Sequence, residues 1–178
     1  MNGLLCAKEY RRTVLSNTIK VTNIVIAGLG GQGVLKASDI VADVAFRAGF
    51  DVKKSEIHGM SQRGGSVSSD VRFGESVYSP MVPSGKADYL VVLSADQVEP
   101  NRWQLREGGQ LIAPGAIPEN SLRDKRSLNV ALLGWLSVSL PFPESAWQDA
   151  IRQNLAPKLH ATNLQALAIG RAGAQHAR

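Results

Sequence analysis

The sequence predicts an α/β protein: a three-layer sandwich on a mostly parallel sheet, with a Rossmann-like first βαβ unit, an inserted hairpin and a helical C-terminal end. Three observations predict it. The β-branched run Val21 to Ala27 leads straight into the glycine turn Gly28-Leu29-Gly30-Gly31-Gln32-Gly33, and apolar residues at helical spacing follow. A second continuous apolar run, Tyr89 to Leu93, reads as a strand buried on both faces. From Asn129 onward the apolar period is helical.

The elements follow in order. Val21 to Ala27 is the first strand. After the turn, Val34, Ala37, Val41, Val44, Ala45 and Ala48 recur every three or four residues, and Gly49 closes the run as a helix C-cap does. Asp51 to Ile57 is a second strand, expected to lie parallel beside the first. His58 to Ser66 carries one apolar side chain and reads as a loop. Val67, Ser69, Val71 and Phe73 alternate with polar residues, the period of a half-exposed strand, and Gly74 permits a turn into a partner strand at Val77 and Tyr78 that Pro80 stops. Tyr89 to Leu93 is the next strand, Pro100 starts a helix reaching Leu105, and Gln110 to Ala113 is a further strand. Pro114 to Ser127 has no usable period. Val130 to Leu140 is apolar nearly all round and is expected to be buried on most sides. Trp147, Ala150, Ile151 and Leu155 form one stripe after Pro143, and Thr162 or Asn163 is placed to cap a last helix.

Composition narrows the function classes. The chain has 178 residues, 44% of them hydrophobic, with 20 basic and 15 acidic side chains and a formal charge of +5. One domain over residues 21–175, preceded by an extension at 1–20, suits that length. The charge is uneven: Lys8, Arg11, Arg12, Lys20 and, beyond residue 150, Arg152, Lys158, Arg171 and Arg178 supply the surplus, and residues 21–150 are slightly acidic. A body without a basic surplus offers no groove for a phosphate backbone, so nucleic acid is not an expected partner. No apolar run approaches the roughly 20 residues a membrane helix needs, and no signal segment is evident, so the protein is read as cytoplasmic with no membrane partner. Cys6 is the only cysteine. It supplies no internal disulfide and too few thiolates for an iron–sulfur cluster or structural zinc, so no metal site is expected on this chain.

Chemistry concentrates in two stretches. Gly28, Gly30 and Gly33, with Gly31 and Gln32 between them, form G-x-G-x-x-G between a strand and a helix, where glycines bring amide donors close to a phosphate at the positive helix end. The same glycines equally permit close helix–sheet packing. A dinucleotide site also wants an acid at the end of the second strand, and Glu56 is the candidate. Lys36, in the first turn, opposes the helix dipole unless an anion is bound. In the second stretch Arg63 offers a two-point fork for a carboxylate or phosphate, and Ser61, Gln62 and the amides of Gly64 and Gly65 complete a concave set of donors. His58 and Asp70 allow a serine triad with Ser61 to be drawn, though no nucleophile elbow is present.

The strings Asn23 to Gly33 and Glu56-Ile57-His58-Gly59-Met60-Ser61-Gln62-Arg63-Gly64-Gly65-Ser66-Val67 resemble the gamma-type subunits of the 2-oxoacid:ferredoxin oxidoreductase family, the indolepyruvate branch above all. The likeness continues through Val71 to Gly74, Tyr78 to Pro80, Ala87-Asp88, Asn129 to Gly134, Trp147, Asn163 and Gly170. It implies an accessory subunit, inactive alone, of a complex that turns a 2-oxoacid and coenzyme A into an acyl-CoA and carbon dioxide and reduces ferredoxin. It implies further that thiamine diphosphate and the iron–sulfur clusters belong to a larger partner subunit. The resemblance also implies that coenzyme A is the co-substrate, and that this domain contacts it or shapes the closed active site through the Gly28–Gly33 turn and the His58–Ser66 loop, with Ser61, Gln62, Arg63, Gly64 and Gly65 as the loop's binding candidates. The chain departs from the family pattern at Pro114 to Leu128, too short for the strand and helix expected there.

Overall fold

The first apolar run becomes the middle of the sheet, with Ile24, Val25, Ile26 and Ala27 all fully buried. The computed structural model describes residues 21–59, 64–118 and 120–177; Cys6, the extension at 1–20 and Ser61, Gln62 and Arg63 lie outside them. Five strands, β1 (Thr22–Leu29), β2 (Asp51–His58), β3 (Ser66–Gly74), β4 (Ala87–Val92) and β5 (Leu105–Ile112), form one sheet in the order β2-β3-β1-β4-β5. Among the described residues five helices accompany them: α1 (Val34–Arg47), α2 (Val98–Asn101), α3 (Leu128–Ser137), α4 (Glu144–Asn154) and α5 (His160–His176).

β4 lies parallel to both β1 and β5. β3 runs antiparallel to β1, from Thr22 opposite Phe73 to Leu29 opposite Ser66, and antiparallel to β2 on its other side. The second strand therefore points the same way as the first but is not its neighbour. β3 stands between them because hairpin pairing with β2 and a full eight-residue register with β1 satisfy both of its edges. The inserted hairpin is accordingly β2–β3, with the polar loop at its tip. Val77 and Tyr78 form no strand. Side chains hold that segment instead: Asp51 accepts from the Val77 amide, Asp70 from the Val82 amide, and Arg72 donates to the carbonyls of Ser79 and Met81.

The helix expected from Pro100 to Leu105 is the short α2 and a 3-10 turn, and β5 begins at Leu105 rather than Gln110. Between β5 and α3 the described residues form two 3-10 turns, Pro114–Ala116 and Lys125–Ser127. α5 starts at His160, and Asn163 lies inside its first turn, donating to the Leu159 carbonyl.

The sheet separates two apolar layers. On one face Ile24, Ile26, Val71, Phe73 and Val91 meet α1, α3, α4 and α5 in the main core. Phe50, Phe73, Phe142 and Trp147 make a ring cluster there, centroids 5.5 to 6.4 Å apart at tilted or edge-on angles. On the other face Val25, Ala87, Leu90 and Val92 are covered by Val82, Val98, Leu105 and Leu111, a much thinner layer. α3 is buried along most of its length, and α5 crosses it at glycine contacts, Gly134 against Leu167 and Gly170 against Ala131.

Candidate functional site

The glycine turn is stitched to three other parts of the chain. Gly31 and Gly33 sit at φ +91° and +83°, left-handed values that side-chain-bearing residues avoid. The Gln32 side chain folds back so that its Oε1 accepts from the Leu29 amide at 2.8 Å, and a Cβ on Gly28 would stand 2.8 Å from that same oxygen. Gly30 donates to the Gly65 carbonyl at 2.9 Å, which ties the turn to the tip of the β2–β3 hairpin. Asn129, in the first turn of α3, donates to the Gly33 carbonyl, and a Cβ on Gly33 would meet its Nδ2 at 2.5 Å. So the glycines serve packing as well as backbone exposure.

A cavity of about 420 Å³ opens where these parts meet, lined by Gly30, Gly31, Gly33, Lys36, His58 and Val67 among others. Within the described residues the fold thus brings Gly30, Gly31, Gly33, Gly64, Gly65, Lys36 and His58 to one place. Gly28 and Gln32 support the turn from behind. Ser61, Gln62 and Arg63 lie outside the described residues. The α1 N-terminus faces it with no acidic residue in its first turn and no side-chain cap, which leaves amide donors for an anion. A larger cavity of about 980 Å³ lies at the opposite, N-terminal end of β1. Its two arginines are already held, Arg72 by Asn23 and Arg106 by Asp88, so the smaller cavity at the glycine turn is the better candidate.

Two sequence expectations fail on geometry. Glu56 is on β2, two strands from β1, so roughly 10 Å of sheet separates it from the strand that carries the glycine turn. Its carboxylate is occupied by Lys54 at 2.8 Å and stands 3.7 Å from His58 Nε2. Glu56 is not the ribose ligand of a dinucleotide fold. Burial alone would push the Lys54 ammonium down, but the Asp39 and Glu56 carboxylates hold it above the ordinary lysine value, so this network is a charged brace between β2 and α1. The drawn triad fails too. Lys54, Glu56 and His58 share the α1 side of the sheet, whereas Asp70 is registered opposite Ser55 and faces the other side.

Lys36 lines both the turn cavity and a second, smaller one of about 230 Å³. That second cavity is also lined by Asp124, Arg126, Thr162 and Asn163. Asn129 and Asn163 carried a resemblance in the sequence, but their convergence with Arg126 had no sequence signal, since 96 positions separate Gly33 from Asn129. Among the described residues no group of three or more His, Cys, Asp or Glu is placed to hold a metal ion, and no described helix is long and apolar enough to cross a membrane.

Residues 23–119 match the pyruvate ferredoxin/flavodoxin oxidoreductase family. The indolepyruvate oxidoreductase subunit IorB of Thermococcus kodakarensis is 36% identical, over 85% of this chain and 95% of its own length. That of Pyrococcus horikoshii is 34% identical over the same shares. Among solved structures, the gamma subunit of a keto/oxoacid ferredoxin oxidoreductase from Geobacter sulfurreducens superposes with a TM-score of 0.72 at 23% identity, over 87% of this chain and 99% of its own. The 2-oxoglutarate:ferredoxin oxidoreductase of Magnetococcus marinus, solved with 2-oxoglutarate, coenzyme A and succinyl-CoA, gives a TM-score of 0.75 at 20% identity. This chain covers 89% of itself but only 32% of that longer chain.

Proposed function

The chain belongs to the pyruvate ferredoxin/flavodoxin oxidoreductase family, and from that premise we propose that it is the accessory subunit of an indolepyruvate-type 2-oxoacid:ferredoxin oxidoreductase. The observation that carries this reading is the match to nearly the whole length of indolepyruvate oxidoreductase subunits, 95% of the first relative. In this reading the complex decarboxylates an aryl 2-oxoacid, passes its electrons to ferredoxin and releases the acyl group on coenzyme A. The single cysteine cannot hold an iron–sulfur cluster, so in this reading the clusters belong to a larger partner subunit, and the family resemblance assigns thiamine diphosphate to that subunit as well. The chain acts as one cytoplasmic domain over residues 21–175.

Its own task is to hold the carrier. The α1 amides, Lys36 and the glycines of the turn suit the phosphates of coenzyme A, and in this reading Ser61, Gln62, Arg63, Gly64 and Gly65 supply further donors to it. Binding there orients the carrier so that its thiol reaches the partner's reaction centre. Co-purification from the native cell is expected to recover a larger chain carrying thiamine diphosphate and iron, and full 2-oxoacid oxidation by the isolated protein would overturn the division of labour. In the assembled complex Arg63→Ala is expected to raise the KM for coenzyme A about tenfold, the loss of one charged contact of about 1.4 kcal/mol. An unchanged KM would leave the loop no part in carrier binding.

A further inference from the structure

The sheet ends in two edge strands of different character. β5 is interrupted: its register with β4 shifts between Ala87 and Tyr89, and Gly108 stands at φ +69°. Such irregularities keep an edge from recruiting another strand. β2 carries none of them. All eight of its residues hold an unbroken register with β3, with no proline or glycine among them. The Gly59 amide donates to the Ser66 carbonyl, so by the alternation of an antiparallel ladder Asp51, Lys53, Ser55 and Ile57 also turn their backbone groups to β3. Val52, Lys54, Glu56 and His58 turn theirs outward, and among the described residues no strand lies on that side.

Lysines commonly guard an exposed edge by repulsion. Here that guard is cancelled. Lys53 pairs with Asp51, and Lys54 pairs with Glu56 and Asp39, so the strand's own lysines and acids balance. The edge also has apolar flanks. Ile57 is 46% exposed on the face away from the helices, and Phe46, two turns beyond Asp39 on the stripe of α1 that reaches Lys54, is 70% exposed. A second copy fits this edge, and charge selects the register. Two β2 strands related by a two-fold axis run antiparallel, with outward backbone groups facing outward ones. One central alignment that does so sets Lys54 against Lys54 of the second copy, and another sets Glu56 against Glu56. Like charges directly opposite destabilise a strand pair. The remaining one, centred on Ser55, sets Lys54 opposite Glu56 of the second copy and Glu56 opposite its Lys54. Val52 and His58 then pair at both ends, and on the other face Ile57 lies across from the aliphatic stem of Lys53.

We propose that β2 is a self-association edge through which two copies of this chain join, in the register centred on Ser55, so that two five-stranded sheets become one continuous sheet. The two-fold axis stands perpendicular to that sheet, so both helix layers lie on the same side. β1 of one copy runs opposite to β1 of the other, and the two glycine turns face opposite ends of the pair. On the accessory-subunit reading each end is then open to its own larger subunit, and the pair ties two reaction units into one particle. Pairing itself needs only the edge and its charges and is independent of carrier binding at the glycine turn.

The test uses the full-length chain carrying Cys6→Ser, which removes its one native thiol. In the proposed register Ser55 stands opposite itself at a non-hydrogen-bonded position, where Cα atoms lie roughly 4.5 Å apart, within the span of a disulfide. Mild oxidation of Ser55→Cys is expected to give a disulfide-linked dimer in high yield, whereas Lys53→Cys, which faces Ile57 of the second copy, should give little. Sedimentation of the uncrosslinked chain is expected to show a dimer at micromolar concentration. Glu56→Pro removes an outward amide that β3 does not use and should raise the dimer dissociation constant at least tenfold. The cysteine comparison decides the matter even where Glu56→Pro fails to fold. A chain that stays monomeric across the micromolar range would overturn the proposal, as would equal cross-linking of Ser55→Cys and Lys53→Cys, or a dimer that a folded Glu56→Pro leaves intact. If Glu56→Pro leaves sedimentation unchanged but costs co-purification of the larger subunit, the edge belongs to that subunit and self-association fails. If the chain is monomeric yet still recovers the larger subunit, the pairing fails and the accessory-subunit reading stands.

Discussion

Asp70 is 3% exposed on β3, and of its two carboxylate oxygens only Oδ2 has a partner, the Val82 amide at 2.8 Å. Burial pushes its carboxyl above the ordinary aspartate range, against the pull of that amide and of the Arg72 charge. A group whose pKa rises on folding contributes stability that is fully present below its unfolded pKa and lost as pH climbs through the folded one. Ionised Asp70 therefore weakens the fold at neutral pH. Asp70→Asn removes the charge and keeps an oxygen for Val82, so its unfolding free energy from urea titration should exceed the wild type's at neutral pH by about 1 kcal/mol. The gain should shrink as pH is lowered to about 4, and a difference constant with pH would refute this account. Such single-residue effects were only partly legible in the sequence. Gly31 and Gly33 could be read as backbone positions needing freedom, since a glycine turn between strand and helix demands it. That Gly33 also makes room for Asn129 could not be read, because the packing partner comes from a helix far along the chain.

At the scale of elements, the period of each strand was readable and its neighbour was not. β1, β2, β3 and β4 all lie close to where the apolar runs place them. Alternation of side chains says which face is buried but not which strand lies beside which, so the insertion of β3 between β1 and β2 had no local signature. The segment after Gly74 misled for a related reason: Val77 and Tyr78 have strand composition, yet side chains of Asp51, Asp70 and Arg72 take up the backbone groups that a partner strand would satisfy. The α3–α5 crossing is the element contact with least tolerance. A Cβ built on Gly170 would stand against the Ala131 carbonyl oxygen, and one on Gly134 against that of Leu167, both far inside contact distance and both against backbone. Neither helix can yield by turning a side chain. Gly170→Ala should force the helices apart and cost about 3 kcal/mol or more despite alanine's better helix propensity. Gly115→Ala, with open space around its Cβ position, is the matched control; equal unfolding midpoints for the two variants would sink the argument.

For the whole molecule, the charge of +5 divides into basic ends and a mildly acidic body, and the acid-free C-terminal stretch invites a reading as a docking tail. The fold assigns at least one of its cations elsewhere. The Arg171 side chain is 18% exposed, pairs with Glu144 at 3.2 Å and donates to Ser137 at its Oγ, so it fastens α5 to both α3 and α4. Beyond it Ala174 is buried and Gly173 packs on Trp135. Removing the chain from Arg171 onward would therefore strip the core, and failed assembly of such a truncation would say nothing about docking. A point change separates the two roles. Arg171→Met keeps most of the aliphatic stem and loses two charge-assisted contacts, a loss of about 2 kcal/mol. At roughly 2–4 °C per kcal/mol for a domain of this size, the melting temperature should fall by about 4–8 °C, while below that temperature the variant should still co-purify with its partner subunit. An unchanged melting temperature together with lost co-purification would return Arg171 to the interface and make the basic end a docking surface after all.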